Sequence, residues 1–155
     1  LVAAGYLFTR KKKIGFYDLA DIAVIPVAFA LGLGRIAKFI NGDFYGTLSN
    51  LPWAVQFQGV EGFRHPVQLY EAAKNFFIFS LLWTLKDKQL PKGLLFWLFV
   101  TLYGSIRFLL EFLKDLPQFA FGLKWGQVWS VPMIIIGAYM LWKVLSAQKK
   151  PSAAQ

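Results

Sequence analysis

Gly34-Arg35-Ile36-Ala37-Lys38-Phe39-Ile40-Asn41-Gly42-Asp43-Phe44-Tyr45-Gly46 is the stretch on which the reading of this chain turns. It closes a long apolar run, Ile22–Ile40, with cations, an amide, a carboxylate and spaced glycines. In water this would be an ordinary helix end. In a bilayer, ionisable groups beside hydrocarbon mark a functional site.

The surrounding composition decides between the two solvents. Of 155 residues, 57% are hydrophobic and 18% aromatic while only 16% are charged, and the mean hydropathy is +0.48. A soluble domain is usually about 45–50% apolar and roughly 25% charged. The chain therefore reads as a membrane protein. Its net charge of +9 does not point to nucleic acid, because the cations sit between apolar runs instead of on one basic face. Cysteine is absent and His65 is the single histidine, which excludes thiolate chemistry and makes a metal site improbable; no cofactor is expected.

Working outward, Leu1–Thr9 is too short for a span, which takes about 20 residues, and reads as the tail of one that begins earlier. Arg10–Lys13 follows it. Beyond the Ile22–Ile40 span, residues Asn41–His65 lack helical period and read as an irregular interfacial segment, with Trp53, Phe57 and Phe63 as headgroup anchors. Further spans are expected at Val67–Leu85, at Gly93–Leu113 and at Gly126–Trp142, with loops at 86–92 and 115–124. The fold class is an all-α polytopic bundle of about four full spans. Residues 1–145 form one transmembrane domain and 146–155 a disordered tail.

Cations set the orientation. Arg10–Lys13, Lys86, Lys88, Lys92, Lys143, Lys149 and Lys150 lie on one side, against Arg64, Lys114 and Lys124 on the other. The richer side is expected to be cytoplasmic. The polar ends of three successive spans then fall in the same outer half, so Arg35, Lys38, Glu71, Lys74, Arg107 and Glu111 converge. Each such charge at the bilayer centre costs about 2.5–3.5 kcal/mol. Together they predict a polar cavity open to the outer leaflet.

Arg35 and Lys38 share a helix face and, with backbone N–H groups around Gly42 and Gly46, suit a phosphate. Arg107 and Glu111, one turn apart, suit an ion pair, with Arg107 binding an anionic headgroup and Glu111 orienting it; Glu71 and Lys74 form a third pair of more structural character. His65 stands at the cavity mouth as a proton carrier. The outer end of the last span, with Gln127, Trp129, Ser130 and Pro132, reads as scaffold.

These residues resemble the bacterial prolipoprotein diacylglyceryl transferases. The family signature is Gly-Arg, a small residue, Asn-Phe, an aliphatic residue, Asn, any residue, Glu, two residues and Gly, matched by Gly34–Gly46. Arg64-His65-Pro66-Val67-Gln68-Leu69-Tyr70-Glu71 and Tyr103–Phe112 are similar to two further blocks, and Gly126-Gln127 with Ser130–Met133 to a weaker fourth. Lys38 stands where the family has Asn, and Asp43 where it has Glu. The family's upstream His-Gly-Gly motif and earlier spans have no counterpart in the sequence.

The resemblance implies transfer of a diacylglyceryl group from phosphatidylglycerol to the lipobox cysteine thiol of a prolipoprotein. It occurs in the bacterial inner membrane, with the site towards the outer leaflet and the C-terminus cytoplasmic. It implies phosphatidylglycerol, prolipoprotein signal peptides and the bilayer as partners, and no nucleic acid. Arg107, Glu111 and His65 are the expected catalytic residues. Arg35, Lys38, Asn41, Asp43, Gly46 and Tyr70 are the expected phosphatidylglycerol contacts. A catalytically impaired relative that only binds anionic phospholipid is the alternative. A transporter is disfavoured because the charges cluster in one leaflet and no inverted repeat is visible.

Overall fold

The computed structural model describes residues 15–120 and 122–148. The expected span tail at Leu1–Thr9, the Arg10–Lys13 cluster and the tail from Lys149 onward lie outside the described residues. Four helices carry the architecture: α1 (Phe16–Ile40), α2 (Val67–Leu85), α3 (Leu94–Leu110) and α4 (Trp125–Gln148). A 3₁₀ turn, Glu111–Leu113, follows α3, and a short antiparallel pair, β1 (Gln118–Ala120) with β2 (Leu123–Lys124), precedes α4.

The all-α expectation holds, with this small strand pair added inside a segment read as loop. α1 begins at Phe16, earlier than Ile22, because its first turn has partners of its own. Phe16 packs edge-on against Phe96 at 6.3 Å, and Tyr17 lies 6.5 Å from Trp97. Asp21 accepts hydrogen bonds from the Gly93 and Phe96 N–H groups at 2.6 and 2.8 Å. A carboxylate on α1 thereby caps the N-terminus of α3, satisfying donors that helix cannot pair internally. α4 likewise extends past Trp142 to Gln148, through the first residues of the expected tail.

α1 packs mainly on α2, and α3 on α4. An apolar core of Val24, Ile25, Ala28, Ile78, Leu82, Leu94 and Leu95 fills the bundle. What is buried and what is exposed reverse the soluble pattern. Glu71, Asn75, Glu111, Gln127 and Ser130 are each no more than 2% exposed, whereas Trp129, Ile135, Tyr139 and Trp142 on α4 face outward. Hydrocarbon rewards that arrangement and water penalises it. Three helical segments, Phe16–Ile40, Leu94–Leu113 and Trp125–Ala147, are long and apolar enough to cross a bilayer. α2 is a continuous helix whose buried polar residues break its apolar run. The chain is built as a multi-pass membrane protein.

Residues 41–66 form an irregular arm with isolated bridges at Leu48–Arg64 and Val55–Arg64, and a third, Gly46–Lys114, to the segment after α3. Trp53 and Phe63 are exposed on it. Phe57 is a correction: it is 6% exposed, packed against Phe39 and Tyr45, and so it anchors the arm to the bundle, not to headgroups.

Candidate anion site

Glu71 is the hub of the charged end. Its carboxylate meets Arg35 Nε of α1 at 2.5 Å and Lys114 Nζ at 2.6 Å, and Lys114 in turn reaches Glu111 at 2.7 Å. One chain of charges thus ties α1, α2 and the 3₁₀ turn. The Arg35 contact to the carboxylate is closest through Nε.

The expected Arg107–Glu111 pair does not form. Glu111 still donates its N–H to the Arg107 carbonyl one α-helical turn back, so the spacing is kept and the pair is lost because other partners take the Glu111 carboxylate. Its carboxylate goes to Lys114 and to the first turn of α4. A Cβ placed on Gly126 would overlap that carboxylate, so glycine lets the positive end of the α4 dipole approach it closely. Arg107 instead donates to the Tyr103 hydroxyl at 3.2 Å.

The Glu71–Lys74 pair is also absent, since Glu71 is taken by Arg35 and Lys114. Lys74, 5% exposed, sets its ammonium 4.0 Å above the Tyr103 ring. Lys74 and Arg107 therefore converge on one tyrosine, from its face and from its hydroxyl. Neither makes an ion pair among the described residues. The ensemble contains four cations, Arg35, Lys74, Arg107 and Lys114, against two carboxylates, Glu71 and Glu111. Lys74 lies within electrostatic reach of Glu71 and of all three other cations.

The other expected site residues fall around this group. Lys38 diverges from Arg35 and stands 4.3 Å over the Phe44 ring, with Phe44 itself at φ +59°. Asn41 is the exposed C-cap of α1. The Asp43 side chain is exposed, and its carbonyl accepts from Gln68 at 2.7 Å. Tyr70 accepts from Trp53 Nε1 at 2.7 Å, and its hydroxyl is 3.3 Å from His65 Nδ1. The His65 ring is thus engaged with Tyr70 of α2 and not with Arg107 or Glu111.

The loop N–H groups expected to face a phosphate are already used. Gly42 donates to Phe39 and Gly46 to His65. Gly46 serves by its smallness, because a Cβ there would come within 2.7 Å of the His65 and Leu113 carbonyls.

Lys114 and Lys124 belong to the charged end, although the sequence pattern hid them as loop cations. Lys124 donates to the carbonyls of Glu111 and Phe112 at 3.1 and 3.4 Å, and to that of Lys114. A cation on these terminal carbonyls holds the 3₁₀ turn in shape. For Lys114 the available signal was its position directly after the apolar run that ends at Leu113, and Lys124, in the segment before α4, had none.

Comparison with known proteins agrees with this architecture. The family model for prolipoprotein diacylglyceryl transferase matches residues 1–143. The phosphatidylglycerol–prolipoprotein diacylglyceryl transferase of Geobacter sulfurreducens is 40% identical over 97% of this chain and 59% of its own length. Those of Aeromonas salmonicida and Methylobacillus flagellatus are each 38% identical, over 97% and 91% of this chain, and 56% of their own lengths. The chain spans a little over half the length of these curated relatives. By the extent of the family match and the motifs at its charged end, it belongs to the prolipoprotein diacylglyceryl transferase family.

Proposed function

We propose that this chain carries the phospholipid-binding half of a phosphatidylglycerol–prolipoprotein diacylglyceryl transferase. The reaction is transfer of the diacylglyceryl group to a lipobox cysteine, forming a thioether and releasing glycerol phosphate. The bundle lies in the bacterial inner membrane with its charged end towards the outer leaflet and its C-terminus in the cytoplasm. The observation that carries this reading is the net positive charge at Tyr103, where a buried lysine and an arginine from two helices meet without a direct carboxylate contact.

A phosphodiester supplies the missing anion. Arg107 and Arg35 present planar guanidinium donors suited to two phosphate oxygens. Held there, the phosphate is stabilised as the leaving group in a low-dielectric site, where such clamps are most effective. The nucleophile is the thiolate, of which only a few per cent forms unaided at neutral pH, and the surrounding positive field favours it. Glu71, Lys114 and Glu111 position this clamp and do not touch the reacting atoms.

The test is transfer of labelled diacylglycerol from phosphatidylglycerol to a lipobox peptide by membranes containing the protein. Arg107→Ala lowers transfer by about 10²–10³-fold while membrane insertion is unchanged. Undiminished transfer would refute the clamp. Binding of phosphatidylglycerol without any transfer by the unsubstituted protein would instead identify the lipid-binding relative.

A further inference from the structure

We propose that Lys74 is a third phosphate contact, matched to the leaving group and not to the bound phospholipid, which makes the cluster a site for a phosphate monoester dianion. The proposal rests on the reading of Arg35 and Arg107 as a phosphate clamp, and adds a residue and a charge state to it. Lys74 Nζ meets no hydrogen-bond acceptor among the described residues although the side chain is 95% buried, and the two polar atoms of the adjacent Asn75 are likewise unpartnered. A buried ammonium close to three other cations is costly by itself. The Tyr103 ring offsets part of that cost by a cation–π contact.

Charge decides the ligand. Glu71 and Glu111 balance Arg35 and Lys114 through the contacts they make, which leaves Lys74 and Arg107 uncompensated. A phosphodiester brings one negative charge and satisfies one of them. During transfer the thiolate, already deprotonated, gives a lone pair to the glyceryl carbon as that carbon's bond to phosphate oxygen breaks. The bonding pair stays on oxygen, so a singly charged diester leaves as a doubly charged monoester. The second charge is the one that Lys74 meets. An interaction stronger after bond breaking than before it accelerates the step.

Two ligands separate the diester from the monoester: phosphatidylglycerol in phosphatidylcholine nanodiscs, and soluble glycerol 1-phosphate added to the same nanodiscs without phosphatidylglycerol. Lys74→Met leaves phosphatidylglycerol affinity within about twofold and weakens glycerol 1-phosphate by at least about tenfold. Equal weakening of both ligands, weakening of neither, or no glycerol 1-phosphate binding by the unsubstituted protein overturns the proposal. Arg107→Met weakens both ligands, and failure to do so refutes the clamp itself whatever Lys74 does. Because Lys74→Met and Lys74→Gln remove an unpartnered charge, both keep the thermal midpoint of the unsubstituted protein. If Met lowers it, the Gln variant carries the binding comparison.

Discussion

Lys114 Nζ lies 2.6 Å from Glu71 Oε1, joining a turn that follows α3 to the middle of the polar face of α2. The same ammonium reaches Glu111 at 2.7 Å, so one lysine bridges two carboxylates that are almost wholly shielded from solvent.

Lys114→Met strands part of that negative charge. Removing one member of a buried ion network costs about 3–5 kcal/mol, so denaturant unfolding in micelles shifts to clearly lower midpoint. Adding Glu111→Gln to the same variant restores a large share of the loss, since the remaining carboxylate keeps Arg35. A double variant no more stable than Lys114→Met would show that the two carboxylates do not depend on the lysine.

Tyr103→Phe separates the two cations that share the ring. It keeps the aromatic face under Lys74 and deletes the hydroxyl that Arg107 uses. A hydrogen bond to a charged group contributes about 1.5–3 kcal/mol, so kcat/KM for diacylglyceryl transfer falls roughly tenfold or more. Tyr103→Leu removes both contacts and falls further; equal effects of Phe and Leu would mean that the ring face contributes nothing.

Gly126→Ala drives a methyl group into the Glu111 carboxylate. Overpacking of this kind costs about 1–3 kcal/mol, read as a lowered thermal midpoint. Gly126→Ala with Glu111→Gln recovers less than Gly126→Ala with Glu111→Ala, because the collision is steric and follows side-chain size, not charge.

Legibility in the sequence followed physical range. The helices could be read because an apolar run of bilayer length admits one structure, and the meeting of Arg35 with Glu71 at one end of the bundle follows once the spans alternate in direction. Partners were harder. Arg107 with Glu111, and Glu71 with Lys74, are sensible pairs on an isolated helix, where only neighbours one turn away compete. In the bundle Glu71 meets Arg35 and Lys114 from other elements, and three-dimensional packing overrides helical spacing. Lys114 looked like a loop cation because nothing in its neighbourhood of sequence announces the 3₁₀ turn that folds it inward. Phe57 was misjudged for a similar reason: an aromatic in an irregular segment has no period from which burial can be read.

The bridge between Gly46 and Lys114 also joins two scales of the molecule. Thr47 N–H donates to the Leu113 carbonyl at 2.9 Å and Asp115 N–H to that of Tyr45 at 3.4 Å, so the root of the arm is stitched to the segment carrying the central lysine. Farther along, Phe63 is exposed, and Trp53, also exposed, is tied to α2 through Tyr70. A displacement of the arm's root would therefore pass through that stitch to the segment on which Lys114 stands between its two carboxylates.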